Sequence, residues 1–413
     1  MLKKIDISEA RLGMYVGKLG GSWLDHPFWR SAFRIDTPGQ LQELREYGIR
    51  ELWIDTEKGV DVGPDVPAAP SGEEACEPGD AAAASEEAAA SQEAGAPSRL
   101  APAVPFHEEI ERARKLHKKA HAAVMHIFHE VRMGKVLEAK ETFALVDEIT
   151  QAMARNSDAF LSLLRLKEKD NHTYLHSLAV CALMIAVGRQ FGIEGQELRN
   201  LGVAGLLHDI GMIKEPHWLL TKPEPLSEQE YEAIRMHPKI GWVILSDAPE
   251  MNEMALDVCL HHHERMDGEG YPDKLPGERL SLYSRICAVC DTYDTLTSDR
   301  CYAKALTPAD AIREMAASRI GHFDEKVFQA FVKAIGIYPV GTLVRLKSER
   351  LAVVTEQAAR SLLTPKVKVI FSTKLDMPVT QASLDLSKSR DSIVGVEDPK
   401  KWRLDLKQIV GIG

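Results

Sequence analysis

From about Pro105 to Tyr338 apolar residues recur three and four apart, as in Phe143, Val146, Ile149 and Met153. That is the period of amphipathic helices. Breakers such as Lys222-Pro223 and Gly270-Tyr271-Pro272 separate one helix from the next, so an all-α domain is expected over 105–338. After Pro339 the pattern changes to short β-rich runs at Thr342–Leu346, Leu351–Val354 and Lys366–Phe371, which predict a small β-rich unit over 339–413. Near the N-terminus, strand-like Met14–Val16 and Glu51–Asp55 flank a helix over Gln40–Tyr47, with Thr37-Pro38 as its start and Gly48 as its stop. This predicts a small α/β domain over 1–60. Trp23 and Trp29 belong to it and are expected in its core or an interface rather than in a ligand platform.

Between these domains, Asp61 to Arg99 holds no Leu, Ile, Met, Phe, Tyr or Trp. A segment without large apolar side chains cannot offset the entropy of ordering, so 61–104 reads as a flexible acidic linker. It has nine acidic residues and one basic one, and therefore carries most of the formal net charge of -10. The domains themselves are close to neutral, which argues against duplex DNA as a partner but leaves an anionic substrate open.

The longest purely apolar run, Leu178–Val187, is too short to cross a bilayer. Met1-Leu2-Lys3-Lys4 is followed by no apolar stretch of the secretory kind, and a cytoplasmic location is expected. The six cysteines are scattered, without the density of a disulfide scaffold. Cys287 and Cys290 form a lone CxxC, read as small core residues of a helix.

Candidate chemistry gathers in the helical stretch. His176, His208-Asp209, His237, His261-His262-His263 and Asp291 lie mostly at the ends of apolar segments. Neutral imidazoles combined with carboxylates suit divalent metal ions, and one aspartate can bridge two of them. In the preceding amphipathic segment, His117 and His121 have i, i+4 spacing, but an ordinary helix face is the favoured reading. The pattern there, Ile110–Met133, equally allows dimerisation.

Leu207-His208-Asp209-Ile210-Gly211, Met236-His237-Pro238-Lys239-Ile240-Gly241, the run from His262 to Pro272 and the run from Asp291 to Arg300 resemble the ordered motifs of the HD-GYP family of HD-domain metal-dependent phosphohydrolases. The first sixty residues resemble a small domain of unknown function found ahead of HD-GYP domains. The resemblance implies an all-helical catalytic fold with two, sometimes three, iron or manganese ions, and hydrolysis of the bacterial messenger cyclic di-GMP to pGpG or GMP by hydroxide bridging two metals. It implies that His176, His208, Asp209 and Asp291 hold one metal and Asp209, His237, His262 and His263 the other, with His261 outside the set. Gly270 and Tyr271 would shape the substrate pocket, while Arg300 and Lys304 would bind phosphate.

Two positions depart from the family pattern. Met212 stands where many members have a phosphate-binding Lys, and Lys214 is a candidate replacement. His172 stands where some members have a third-metal Glu, which favours a two-metal site. Met212 also keeps a second reading open, a cyclic di-GMP-binding sensor or interaction module with weak or lost turnover. An input signal would then come through the first sixty residues, the C-terminal β unit or a separate partner.

Overall fold

A computed structural model describes residues 2–19, 33–35, 41, 51–60, 104–165, 172–222, 224–299, 304–318, 321–358, 361–399, 401, 402, 404 and 406. The chain divides into two compact units, 1–96 and 97–413. In the first, β1 (Leu2–Asp6), β2 (Tyr15–Leu19), β3 (Phe33–Arg34) and β4 (Glu51–Asp55) form an antiparallel sheet of order β1-β4-β2-β3. Alternation places Ile5, Val16, Leu52 and Ile54 in a core with Met14 and Ile35, and Leu41 packs against it. The expected helix falls outside the described residues except for Leu41, as do Trp23, Trp29 and the linker up to residue 103.

The second unit opens with two long helices, α1 (Phe106–Arg132) and α2 (Ala139–Leu164). The apolar stripe of α1, including Ile110, Val124, Phe128 and Val131, is buried in its own unit, where α1 packs on α2 and on α3 (His172–Gln190). The fully buried Glu109 accepts from Arg155 Nε and Nη2 at 2.8 and 2.7 Å, tying the start of α1 to α2. Helix α2 breaks at Asn156, whose φ of -161° is extended. The Asn156 amide caps the last turns of α2 by accepting from Ala159 N–H and donates to the Val104 carbonyl. Helix α3 is apolar around nearly its whole circumference and forms the centre of the unit, with Leu178, Val180, Cys181, Met184, Ile185 and Val187 fully buried.

Around α3 lie α4 (Gly195–Leu207), a 3-10 turn (Ile210–Lys214), α5 (His217–Leu220), α6 (Glu228–Ile234), α7 (His237–Ser246), α8 (Glu253–His261), α9 (Leu282–Leu296), α10 (Pro308–Ser318) and α11 (Glu325–Ile335). Side-chain caps at Ser227, Asn252, Ser281 and Asp324 set the starts of α6, α8, α9 and α11. Cys287 and Cys290 are free and buried on α9, with thiols pushed up by burial, in keeping with a packing role.

The chain ends in an antiparallel sheet of order β8-β7-β6-β5-β9, formed by β5 (Leu343–Leu346), β6 (Arg350–Glu356), β7 (Lys366–Ser372), β8 (Met377–Asp385) and β9 (Ile393–Val396). Both faces are apolar. Val344, Val354, Val367 and Val369 build one cluster with Leu386, whereas Leu343, Leu351, Val353 and Ile370 build another with Trp402. The three runs read from the sequence are β5 to β7. Strands β8 and β9 were not anticipated. The sheet belongs to the same compact unit as the helices, and Arg165, just after α2, donates to the Val340 carbonyl in the stretch that leads from α11 to β5. No helix among the described residues is long and apolar enough to cross a membrane.

Candidate metal centre

Five helices of the second unit bring their chemistry to one place: α3 carries His176, the end of α4 gives His208 and Asp209, α7 begins at His237, α8 runs out into His262 and His263, and α9 carries Asp291 and Asp294. The pairs α3–α4, α4–α8, α7–α8 and α9–α3 pack directly. Glycine makes the closest approach possible. A Cβ at Gly211 would lie 2.0 Å from the His237 carbonyl oxygen and 2.7 Å from Gly241 N. The turn after Asp209 therefore abuts the first turn of α7 backbone to backbone.

The Asp209 carboxylate faces two groups of rings. Its Oδ1 lies 3.1 Å from His237 Nε2 and 3.5 Å from His262 Nε2, and its Oδ2 lies 3.5 Å from His208 Nε2 and 3.6 Å from His176 Nε2. Asp291 Oδ1 is 3.1 Å from His176 Nε2. Two overlapping sets have ligand atoms within 4.8 Å of one another: Asp209 with His237, His262 and His263, and His176 with His208 and Asp209. The two sets hold six of the seven residues expected as ligands; the seventh, Asp291, is in neither and meets the cluster through His176. His261 is in neither set.

The far nitrogens fix the rings. His208 Nδ1 donates to the Gly205 carbonyl at 2.8 Å, His237 Nδ1 to that of Ile234 at 2.7 Å, and His262 Nδ1 to that of Cys259 at 3.0 Å. His176 Nδ1 donates to Asp294 Oδ2 at 2.6 Å. With each Nδ1 committed to an acceptor, each Nε2 is turned toward Asp209. His208 Nε2 is buried without a hydrogen-bond partner, and the Nε2 atoms of His237 and His262 meet at 3.3 Å. Facing lone pairs beside carboxylates require positive charge among them, as protons or as metal cations. This donor set fits divalent cations.

The electrostatics agree. Burial opposes charge on His176, but its hydrogen bonds to Asp291 and Asp294 push its pKa up to about 9. Burial pushes His208 down to about 4 and holds His263 well below the usual range. Asp209 stays ionised against burial because His208, His237 and His262 surround it.

Two contributors went unassigned in the sequence. Asp294 orients His176, and its signal was its position three residues after Asp291 on one helix face. We expect Asp294→Asn to leave the fold intact and weaken metal binding roughly 10- to 100-fold, measurable by competition with a chelating dye. Unaltered affinity would remove Asp294 from the site. The second is Glu264, buried beside the histidines, which accepts from Asp273 N–H at 2.7 Å and Leu275 N–H at 3.1 Å. It pins the loop carrying Gly270 and Tyr271. A Cβ on Gly270 would come within 2.4 Å of Glu264 Cα, so that loop also depends on glycine. The Tyr271 ring stacks on His263, with centroids 4.7 Å apart.

The remaining candidates fare differently. Lys304 is exposed in the connection to α10 and, among the described residues, takes no part in the cluster. Arg300 and the His172 side chain lie outside the described residues. Met212 is half-buried on the 3-10 turn, with Lys214 exposed two residues on. Among the described residues, no metal-ligating group includes His117 or His121.

Comparison with known proteins agrees with this geometry. An HD-domain family model matches residues 145–327, and a domain of unknown function, DUF3391, matches residues 2–142. These matches define an HD-domain protein. The cyclic di-GMP phosphodiesterase PA4108 of Pseudomonas aeruginosa is 48% identical over 405 residues, covering 97% of this chain and 94% of that protein. The cyclic di-GMP phosphodiesterase response regulator RpfG of Xanthomonas campestris is 32% identical over 191 residues, 46% of this chain and 50% of its own length. The 3'3'-cGAMP-specific phosphodiesterase 1 of Vibrio cholerae is 32% identical over 166 residues, 40% of this chain and 38% of its own. The chain belongs to the HD-GYP family.

Proposed function

We propose that this protein is a metal-dependent phosphodiesterase that hydrolyses cyclic di-GMP to pGpG, GMP or both. The observation that carries the reading is the Asp209 carboxylate, turned with one oxygen to His237 and His262 and the other to His176 and His208. The 48% identity to a cyclic di-GMP phosphodiesterase over nearly the whole chain supports the substrate. His176, His208, Asp209 and Asp291 would hold one divalent cation and Asp209, His237, His262 and His263 the second, with iron or manganese suited to this nitrogen and oxygen set. Bound there, the cations supply Lewis acidity toward the phosphate and acidify water.

The chain's own residues supply the framework. The backbone carbonyls of Gly205, Ile234 and Cys259 and the Asp294 carboxylate keep the Nδ1 protons in place. Glu264 steadies the loop that brings Tyr271 against His263, and Gly270 and Tyr271 form the substrate-facing wall. Arg300 and Lys304 would meet phosphate oxygens. We assign catalysis to 105–338, place the protein in the cytoplasm, and assign signal input, through a second copy or a protein partner, to the N-terminal unit.

Met212 is then a variation on this site. Met212→Lys, which adds a cation to the 3-10 turn that follows Asp209, is expected to leave kcat/KM on cyclic di-GMP equal or higher. A large loss would mean that the pocket is built differently around the thioether. The reading itself is tested by chromatography of the products formed from cyclic di-GMP by protein loaded anaerobically with Fe(II) or Mn(II). We expect pGpG or GMP. Tight binding without product would establish a sensor, the alternative that the missing lysine favours.

A further inference from the structure

Four of the five histidines in the cluster have the ring fixed by a hydrogen bond from Nδ1: His176 to Asp294, and His208, His237 and His262 to backbone carbonyls. Among the described residues, the His263 ring has no such bond. Its contacts are aromatic. The rings of His262 and His237 lie 4.1 and 5.0 Å away but meet it at 44° and 88°. The near-parallel neighbour is Tyr271, with centroids 4.7 Å apart and planes at 21°, and the Tyr271 N–H donates to the His263 carbonyl at 3.2 Å. Tyr271 is held in turn by Arg235, the cap of α6. The guanidinium carbon lies 5.1 Å from the centre of the Tyr271 ring and 4.6 Å from that of Tyr231, and Nη1 donates to Glu232 at 2.9 Å. Its Nε is enclosed, so the guanidinium is committed to this place.

The torsion that turns an imidazole about its Cβ–Cγ bond is soft, and a ligand ring has to be aimed from outside. A partner on the second nitrogen commonly does so, and its loss costs 10- to 100-fold in metal affinity. A flat ring lying along the imidazole restrains the same rotation, since turning would drive the imidazole edge into the tyrosine. The guanidinium is attracted to the tyrosine ring and, being planar, packs flat against it. We propose that Arg235 and Tyr271 are positioning residues for His263. Their stack does for this ring what Nδ1 hydrogen bonds do for the others, and so secures the cation of the group formed by Asp209, His237, His262 and His263. This rests on the two-metal reading of the centre.

The test is titration of metal-free wild-type protein, Arg235→Gln, Tyr271→Leu and Tyr271→Phe with Mn(II) in competition with a chelating dye, with Tm recorded for each. Wild-type protein should bind two ions per chain. Arg235→Gln and Tyr271→Leu are expected to weaken one ion roughly tenfold or more while the other binds as before. Tyr271→Phe keeps the ring and should bind both ions as wild type does. In a His263→Ala background, Arg235→Gln should cost nothing further, because the residue acts through that ring. Unchanged affinities in Arg235→Gln and Tyr271→Leu, or an equal loss of both ions with a fall in Tm, would overturn the inference. So would a phenylalanine variant as weak as leucine, or a full further loss in the His263→Ala background. Wild-type protein that binds fewer than two ions refutes instead the two-metal reading, and the inference with it.

Discussion

Asp209→Ala is expected to strip metal from both halves of the centre and to lower hydrolysis of cyclic di-GMP by on the order of 10³-fold or more, since both cations lose a ligand and their mutual placement. The expectation rests on the geometry, in which one carboxylate faces four imidazole nitrogens at 3.1 to 3.6 Å. Alanine at this position leaves the rings anchored by their Nδ1 contacts, so the fold should survive. Elemental analysis and initial rates check both parts. A variant that kept its full metal complement and its rate would refute the assignment of Asp209 as the shared ligand.

The second large effect is structural. In Gly211→Ala the new Cβ would meet the His237 carbonyl oxygen at 2.0 Å and Gly241 N at 2.7 Å. Both obstacles are backbone, so no side chain can rotate away. Either the turn after Asp209 or the start of α7 must shift, and each adjoins a residue that we propose holds metal. We expect a stability loss of about 3 kcal/mol or more together with weaker metal binding, read by thermal unfolding and metal content. An alanine variant with wild-type Tm and full metal loading would show that the two backbones are not in the contact described.

The sequence is legible where its signal is local. His208-Asp209 and His262-His263 stand at helix ends within specific motifs, so the residues that meet in the cluster, which we propose as ligands, can be written from the motifs. Helix periodicity and β-rich runs likewise place the helical domain and strands β5 to β7. Strand β8 escapes because Met377–Asp385 is mostly exposed and carries Pro378 in a polar context, leaving no apolar alternation to read. The break at Asn156 is hidden because the residues around it keep helical spacing, and its cause is a contact with Val104, 52 residues away in sequence. Asp294 and Glu264 are visible as residues but not as roles, because one acts through a ring on α3 and the other through a loop. The stack on Arg235 depends on α6 and the loop at Tyr271 meeting in space, which no spacing rule contains.

A centre of two cations that share Asp209 and hydrolyse cyclic di-GMP is tested most directly by a titration. Protein stripped of metal is given Mn(II) in known equivalents while bound metal and product are measured at each step. A shared centre predicts little turnover through the first equivalent per chain and a steep rise as the second binds. Full activity with a single bound ion, or with none, would contradict it.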